Sequence, residues 1–288
     1  MKDEPDRRHP LRRARQDVAE AAQVPDTPQT RAPAYRLAFA DPDFLGREDL
    51  RGLRLHLEML KAEALMDEAG IESTVVLFGG ARILPPERAH EARTETLRDL
   101  TRYYEEARRF AALLTGRGRE GQFVVVTGGG PGVMEAGNRG AQEAGGRSIG
   151  LGIVLPHEQA PNIYVTPELC FNFHYFATRK MQFLIRAAAI AVFPGGFGTM
   201  DELFETLTLI QTGRMERVPV LLFGRAFWEG VVNFEALAEA GTIAPEDLEL
   251  FRFVETAEEA IAAMDSWAPA PPRAAIPGRP APTGVPEA

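Results

Sequence analysis

Apolar residues in this chain fall alternately into helical stripes and short unbroken runs, and the alternation continues over most of its length. Leu50, Leu53, Leu55, Leu57, Leu60, Leu65 and Met66 predict a first helix over 47–69. Thr74-Val-Val-Leu-Phe78 follows as a strand and stops at Gly79-Gly80. Leu97, Leu100, Tyr104, Ala107, Ala111 and Leu114 carry helical spacing through a long helix over 88–116. Further strands are predicted at 122–127, 148–154, 163–165, 189–193, 217–223 and 251–254, and helices at 131–145, 174–187, 199–211, 226–240 and 257–267.

Strands that are apolar on both faces and separated by helices specify a parallel sheet covered on both sides. The predicted fold is therefore α/β, a doubly wound Rossmann-like parallel sheet with helices on both faces. Residues 1–45 are rich in Pro, Arg, Gln and Asp without apolar periodicity, and 268–288 are rich in Pro and Ala. Both ends read as disordered tails around one Rossmann-like domain over 46–267.

Composition narrows the class of function. The 288 residues carry a net charge of −9, which provides no basic field for a nucleic-acid backbone, so no nucleic-acid partner is expected. No apolar run approaches the length of a bilayer span, so no membrane partner is expected either. The single cysteine, Cys170, excludes an internal disulfide and a thiolate-only metal site, and the expected location is cytoplasmic. Only three of the 32 basic residues are lysines, Lys2, Lys61 and Lys180.

Two glycine-rich turns carry the chemistry. Gly128-Gly-Gly-Pro-Gly132 leaves one strand and Pro194-Gly-Gly-Phe-Gly-Thr199 leaves another, each opening a helix. Unpaired N–H groups and the helix dipole make such a place an anion site. The first turn is not G-x-G-x-x-G, no acidic residue closes the following strand, and the G-K-[ST] ending of a P-loop is missing. Nicotinamide binding and ATP hydrolysis both lose ground.

In the second turn Thr199-Met-Asp-Glu202 has the spacing of a capping box, which would give Glu202 a structural task; the same acid also sits where chemistry would need it. Arg179 and Lys180 bring a planar fork and a point charge to the helix before that turn's strand, or else form a solvated face. Phe173, Phe176 and Phe183 read as core. His157 and Glu158 lie in a connection at the ligand edge of the sheet, and Glu158 can bind a sugar hydroxyl.

Taken together, Gly128-Gly-Gly-Pro-Gly-Val-Met134, Arg179-Lys180 and Pro194-Gly-Gly-Phe-Gly-Thr-Met-Asp-Glu202 resemble the Lonely Guy (LOG) family, cytokinin riboside 5′-monophosphate phosphoribohydrolases often labelled lysine decarboxylases. The resemblance spans about residues 73 to 265 and leans to the longer bacterial branch. It implies hydrolysis of the N-glycosidic bond of AMP or an N6-modified AMP, releasing free base and ribose 5-phosphate. By motif position it implies Arg179 and Glu202 as the catalytic pair. Gly129, Gly130, Met134, Lys180, Gly195, Gly196, Gly198 and Thr199 would bind the substrate, with Glu158 and Thr208 as further candidates. It implies a small-molecule nucleoside monophosphate as partner, no cofactor, no metal, and a homo-oligomer, either a dimer or a dimer-based hexamer. A different class shares the glycine turns: a non-catalytic nucleotide-binding or sensor protein, which needs no acid at 202.

Overall fold

In the computed structural model, which describes residues 12–155 and 160–267, the apolar runs become the strands of a parallel sheet. Among the described residues these are β1 (Thr74–Phe78), β2 (Val124–Thr127), β3 (Ser148–Ile153), β4 (Cys170–Phe173), β5 (Ala187–Val192), β6 (Val220–Phe223) and β7 (Arg252–Val254). They pair in the order β4-β3-β2-β1-β5-β6-β7, every neighbour parallel. The chain builds outward from β1 to β4, then returns to lay β5 on the other side of β1. That reversal is the topological switch point, where doubly wound sheets open a crevice beyond the carboxyl ends of the strands.

In chain order the α-helices are α1 (Ala14–Ala21), α2 (Pro28–Arg31), α3 (Pro42–Leu45), α4 (Arg51–Glu68), α5 (Glu95–Asp99) and α6 (Arg102–Thr115). After them come α7 (Val133–Glu143), α8 (Phe176–Leu184), α9 (Phe197–Gln211), α10 (Arg225–Val231), α11 (Phe234–Glu239) and α12 (Ala257–Asp265). Two compact units part within α4, between Leu60 and Lys61. In the first, α1 to α3 bury none of their residues and rest on local capping. The Thr27 hydroxyl accepts from the Thr30 N–H, and the Asp41 carboxylate accepts from the N–H groups of Asp43 and Phe44. Residues 1–11 and 268–288, the outer parts of the expected tails, lie outside the described residues.

The second unit holds the sheet and two cores, one on each face. Val76 pairs with Val126 on one side and Ile190 on the other, and all three face a core completed by Met66 of α4, Phe183 of α8 and Leu203 of α9. One residue earlier in β1, Val75 points the opposite way, into a core with Phe110 and Leu114 of α6, Ala136 of α7 and Ala260 of α12. Both faces being buried is why these strands read as unbroken apolar runs rather than as alternation.

Four differences between the predicted elements and the structure have a clear physical reason or bear on the cavity. No strand forms at 163–165, where Ile163 is exposed; the edge strand is β4, whose Phe171 and Phe173 are buried while Cys170 and Asn172 are exposed. That alternation marks a strand covered on one face. The long helix over 88–116 is broken into a 3₁₀ stretch Pro86–Glu91, α5 and α6, because the Thr94 hydroxyl accepts from the Leu97 N–H and starts α5 afresh. The helix over 226–240 is likewise divided into α10 and α11 by Asn233, whose side chain accepts from the Ala236 N–H at 2.9 Å. The helix expected to start at 199 starts two residues earlier, at Phe197.

Helices α6 and α7 pack with little room to spare. A Cβ on Gly140 would stand 1.9 Å from the Arg108 carbonyl oxygen, which is backbone and cannot swing away. Gly140→Ala is therefore expected to destabilise the protein by about 2–3 kcal/mol and lower Tm by about 5–10 °C in a calorimetric scan. An unchanged Tm would mean that the two helices are not held this close.

Candidate functional site

Three turns meet at the switch point. The Phe193 N–H donates to the Phe78 carbonyl at 2.8 Å and the Gly80 N–H to the Pro194 carbonyl at 2.9 Å, so the turns after β1 and β5 are stitched together. The Val133 N–H donates to the Gly80 carbonyl at 3.3 Å, bringing in the turn after β2. Gly132, at the start of α7, has φ +73, and a Cβ there would lie 2.4 Å from the Gly80 oxygen, so only glycine allows this junction. Between the turns lies a cavity of about 1000 Å³.

The second glycine turn lines that cavity with Gly195, Gly196, Gly198 and Thr199, as expected. A Cβ on Gly195 would strike the Thr199 hydroxyl at 2.1 Å, which explains one of the glycines by packing. Gly196 and Gly198 are different: a Cβ on either meets nothing within 4 Å. Neither has a left-handed φ, so neither packing nor backbone conformation requires glycine there, and the bare backbone is open to the cavity. Gly196 is the N-cap of α9, and no side chain caps that helix end. Its first N–H groups are left facing outward with the positive end of the helix dipole.

The early start of α9 removes the capping-box reading of Thr199-Met-Asp-Glu202. Thr199 is the third helical residue rather than the N-cap, and no capping box forms. Glu202 is free of the capping task, and its side chain lines the cavity instead. It is only 6% exposed, and its Oε2 has no hydrogen-bond partner among the described residues. Burial pushes its carboxyl up to about 7; the charges of Lys180 and Arg179 pull it back in part, while Glu205 and Asp201 add to the rise.

Arg179 is brought to the same cavity from α8. Its Nε–H donates to the Leu151 carbonyl at the end of β3 at 2.7 Å, and its guanidinium lies 5.0 Å from the centre of the Phe183 ring. A Cβ on Gly128 would stand 2.8 Å from Nη2, so the first glycine turn leaves space for this cation. Met134 lines the cavity beside it.

Other expected residues fall elsewhere. Gly129 and Gly130 are not among the cavity-lining residues. Their carbonyls accept from the Asn162 side-chain amide, each at 3.0 Å, and the same amide donates to Asn138 Oδ1 at 3.0 Å. Thr127 completes this lock, its hydroxyl donating to Asn138 Oδ1 at 2.7 Å and accepting from the Gly129 N–H at 2.9 Å.

Lys180 does not line the cavity either: its ammonium pairs with Asp201 at 3.0 Å and Glu205 at 2.9 Å, tying α8 to α9. Thr208 is exposed, and its hydroxyl donates to the Phe204 carbonyl at 2.7 Å, one helical turn back. Glu158 and His157 lie outside the described residues.

The structure also brings in residues that the sequence reading passed over. Arg82 and Ile83, just beyond Gly79-Gly80, line the cavity together with Leu97, Leu100 and Phe227. Phe173 and Phe183 are core, as expected, but Phe176 is 54% exposed and lines the cavity, as does Phe197, which is 96% exposed. The signal for Phe197 was present in the sequence, an aromatic set between two glycines of an anion turn.

No helix of the described residues is long and apolar enough to cross a membrane.

This is a Rossmann-like α/β fold with a cavity at the switch point, lined by residues of the glycine turns, a buried acid and an arginine. The chain is similar to several known proteins. A family model described as "Possible lysine decarboxylase" matches residues 134–264. The cytokinin riboside 5′-monophosphate phosphoribohydrolase LOG3 of Arabidopsis thaliana is 26% identical over 155 residues, 53% of this chain and 71% of that protein. The probable cytokinin riboside 5′-monophosphate phosphoribohydrolase LOGL3 of Oryza sativa subsp. japonica is 25% identical over 180 residues, 59% of this chain and 79% of that protein. Among solved structures, the X-ray structure of TM1055, a structural-genomics target, is 22% identical with a TM-score of 0.44, covering 68% of this chain and 99% of that one. Over residues 134–264 the chain is thus similar to the lysine decarboxylase-like family, and the relatives it resembles are LOG proteins.

Proposed function

We propose that this protein is a nucleoside 5′-monophosphate phosphoribohydrolase, cleaving the N-glycosidic bond of AMP or an N6-modified AMP to give free base and ribose 5-phosphate. The observation that carries the reading is Glu202: a buried acid, its Oε2 without a hydrogen-bond partner among the described residues, lining one cavity with Arg179 and lying about one helical turn from a helix start without a side-chain cap. The names of the plant relatives support the same reaction class.

Breaking a ribosyl–base bond passes through an oxocarbenium-like state with positive charge on the sugar. A carboxylate held beside C1′ stabilises that charge and accepts a proton from the attacking water. Water supplies the hydroxyl that ends on C1′, and the departing base takes the bonding pair and a proton. Glu202 is the acid for this task. Arg179 holds a phosphate or ribose oxygen through its planar fork, and the N–H groups at the start of α9 take the 5′-phosphate. The apolar part of the cavity, from Ile83, Leu97, Leu100 and Phe227, receives the base. The reading needs no cofactor and no metal. It places the enzyme in the cytoplasm as a homo-oligomer, a dimer or a hexamer built from dimers.

Amino-acid decarboxylation, the chemistry in the family's description, suits this site poorly. A Schiff-base lysine must lose its proton readily. Burial lowers the Lys180 pKa, but hydrogen bonds to Glu205 and Asp201 outweigh it and the net direction is upward. An ammonium locked between two carboxylates is a structural tie rather than a nucleophile.

The remote phosphate orients the sugar at the reacting carbon, so AMP is expected to be cleaved at least about 100-fold more efficiently than adenosine in kcat/KM. A panel of AMP, GMP, CMP, N6-isopentenyl-AMP and adenosine, with bases separated by chromatography, reads this directly. Equal rates on AMP and adenosine would remove the phosphate anchor from the account. A sensor protein would bind AMP and leave it intact.

A further inference from the structure

Among the residues that line the cavity, the basic ones are Arg82 and Arg179. Arg179 is engaged with the Leu151 carbonyl and the Phe183 ring, and Lys180 is held outside the cavity by two carboxylates. Arg82 is exposed, and its guanidinium makes no hydrogen bond or ion pair with any described residue.

Its backbone is nevertheless well fixed. On one side Gly80 bonds to both neighbouring turns, through its N–H to Pro194 and its carbonyl to Val133. On the other side Ile83 is buried, and its N–H donates back to the Gly80 carbonyl at 3.3 Å. A cation on an anchored turn, unpaired and opening into a cavity, is organised for a ligand and not for the fold. The cavity's other lining charges include the acids Asp201 and Glu202, so a phosphate dianion entering it needs a countercharge beyond helix dipoles.

We propose that Arg82 is the phosphate-recognising cation of this site, gripping the 5′-phosphate of the substrate opposite the N–H groups that open α9 and setting the preference for nucleotides over nucleosides. This rests on the phosphoribohydrolase reading, and it turns to Arg82 rather than Lys180, which motif position had placed among the substrate-binding residues. A guanidinium offers two parallel N–H donors to a phosphate, which an ammonium cannot match, so the side chain's length and its fork both matter.

The test compares wild type, Arg82→Ala and Arg82→Lys by calorimetric titration with ribose 5-phosphate and by cleavage of AMP and adenosine. Arg82→Ala is expected to weaken ribose 5-phosphate binding about 10- to 100-fold and to lower kcat/KM for AMP by a similar factor. Its kcat/KM for adenosine should fall much less than that for AMP, so that the preference for the nucleotide shrinks, and Arg82→Lys should recover part of the loss on AMP. Because the side chain is exposed, Tm should not move. Ribose 5-phosphate binding equal to wild type, or equal losses on AMP and adenosine, would overturn the assignment. Should the wild type cleave no nucleotide, the phosphoribohydrolase reading falls by itself. The titration still decides Arg82, and wild type that does not bind ribose 5-phosphate would sink it.

Discussion

Glu202→Gln is expected to lower kcat for AMP by about three orders of magnitude while making the folded protein more stable at pH 8. Both effects come from the same carboxyl. Folding raises its pKa from 4.5 to about 7, chiefly by burial, so the folded state holds the proton more tightly than the unfolded chain does. Below pH 4.5 the group is protonated in both states and costs nothing. As pH rises through 7 the folded state must carry a buried charge, and the full cost of about 3 kcal/mol is present above that. Glutamine has no charge to bury. The variant's Tm relative to wild type should therefore climb between pH 5 and pH 8, offset by whatever its unpaired amide costs.

A helix cap behaves in the opposite way: removing it lowers Tm at every pH where the acid is ionised. The same titration shapes the activity. Because the carboxylate is the working form, kcat/KM should fall about tenfold per pH unit below 7. A pH–rate profile flat between 5 and 8 would take Glu202 out of the reaction.

Arg179→Lys is the second large effect, an expected loss of about 100-fold in kcat/KM for AMP with the fold intact. The charge survives the substitution, and the geometry does not. Lysine has no counterpart of the Nε–H that donates to Leu151, and it offers no flat face to the Phe183 ring. The cation would then wander in the space that Gly128 keeps open. Activity within twofold of wild type would show that a positive charge alone is enough.

The sheet was legible in the sequence because both its faces are buried: β1, β2, β5 and β6 are unbroken apolar runs, and helices separate them. The edge strand β4 was not, because its Phe171 and Phe173 pattern is four residues long and follows a proline-led 3₁₀ turn. Pattern also reads periodicity better than interruption, so the polar caps Thr94 and Asn233 that divide two helices went unnoticed.

At the site, the second glycine turn, Arg179 and Glu202 line one cavity, whereas of the first turn's glycines Gly128 does and Gly129 and Gly130 do not. Whether Glu202 was a cap or an open acid depended on where α9 begins, which is a difference of two residues. Lys180 and Thr208 could not be placed from spacing, since neighbours on one helix point different ways: Lys180 turns from Arg179 toward Asp201 and Glu205. Asn138 and Asn162, which lock the first turn from behind, belong to no motif and meet only in three dimensions.

The central claim is that this cavity hydrolyses a nucleotide at its glycosidic bond. Purified protein incubated with AMP, with adenine and ribose 5-phosphate quantified over time by chromatography and with Glu202→Gln run in parallel, tests it most directly. The account predicts equimolar adenine and ribose 5-phosphate from wild type and almost none from the variant. Intact AMP with both proteins, or equal product from both, would contradict it.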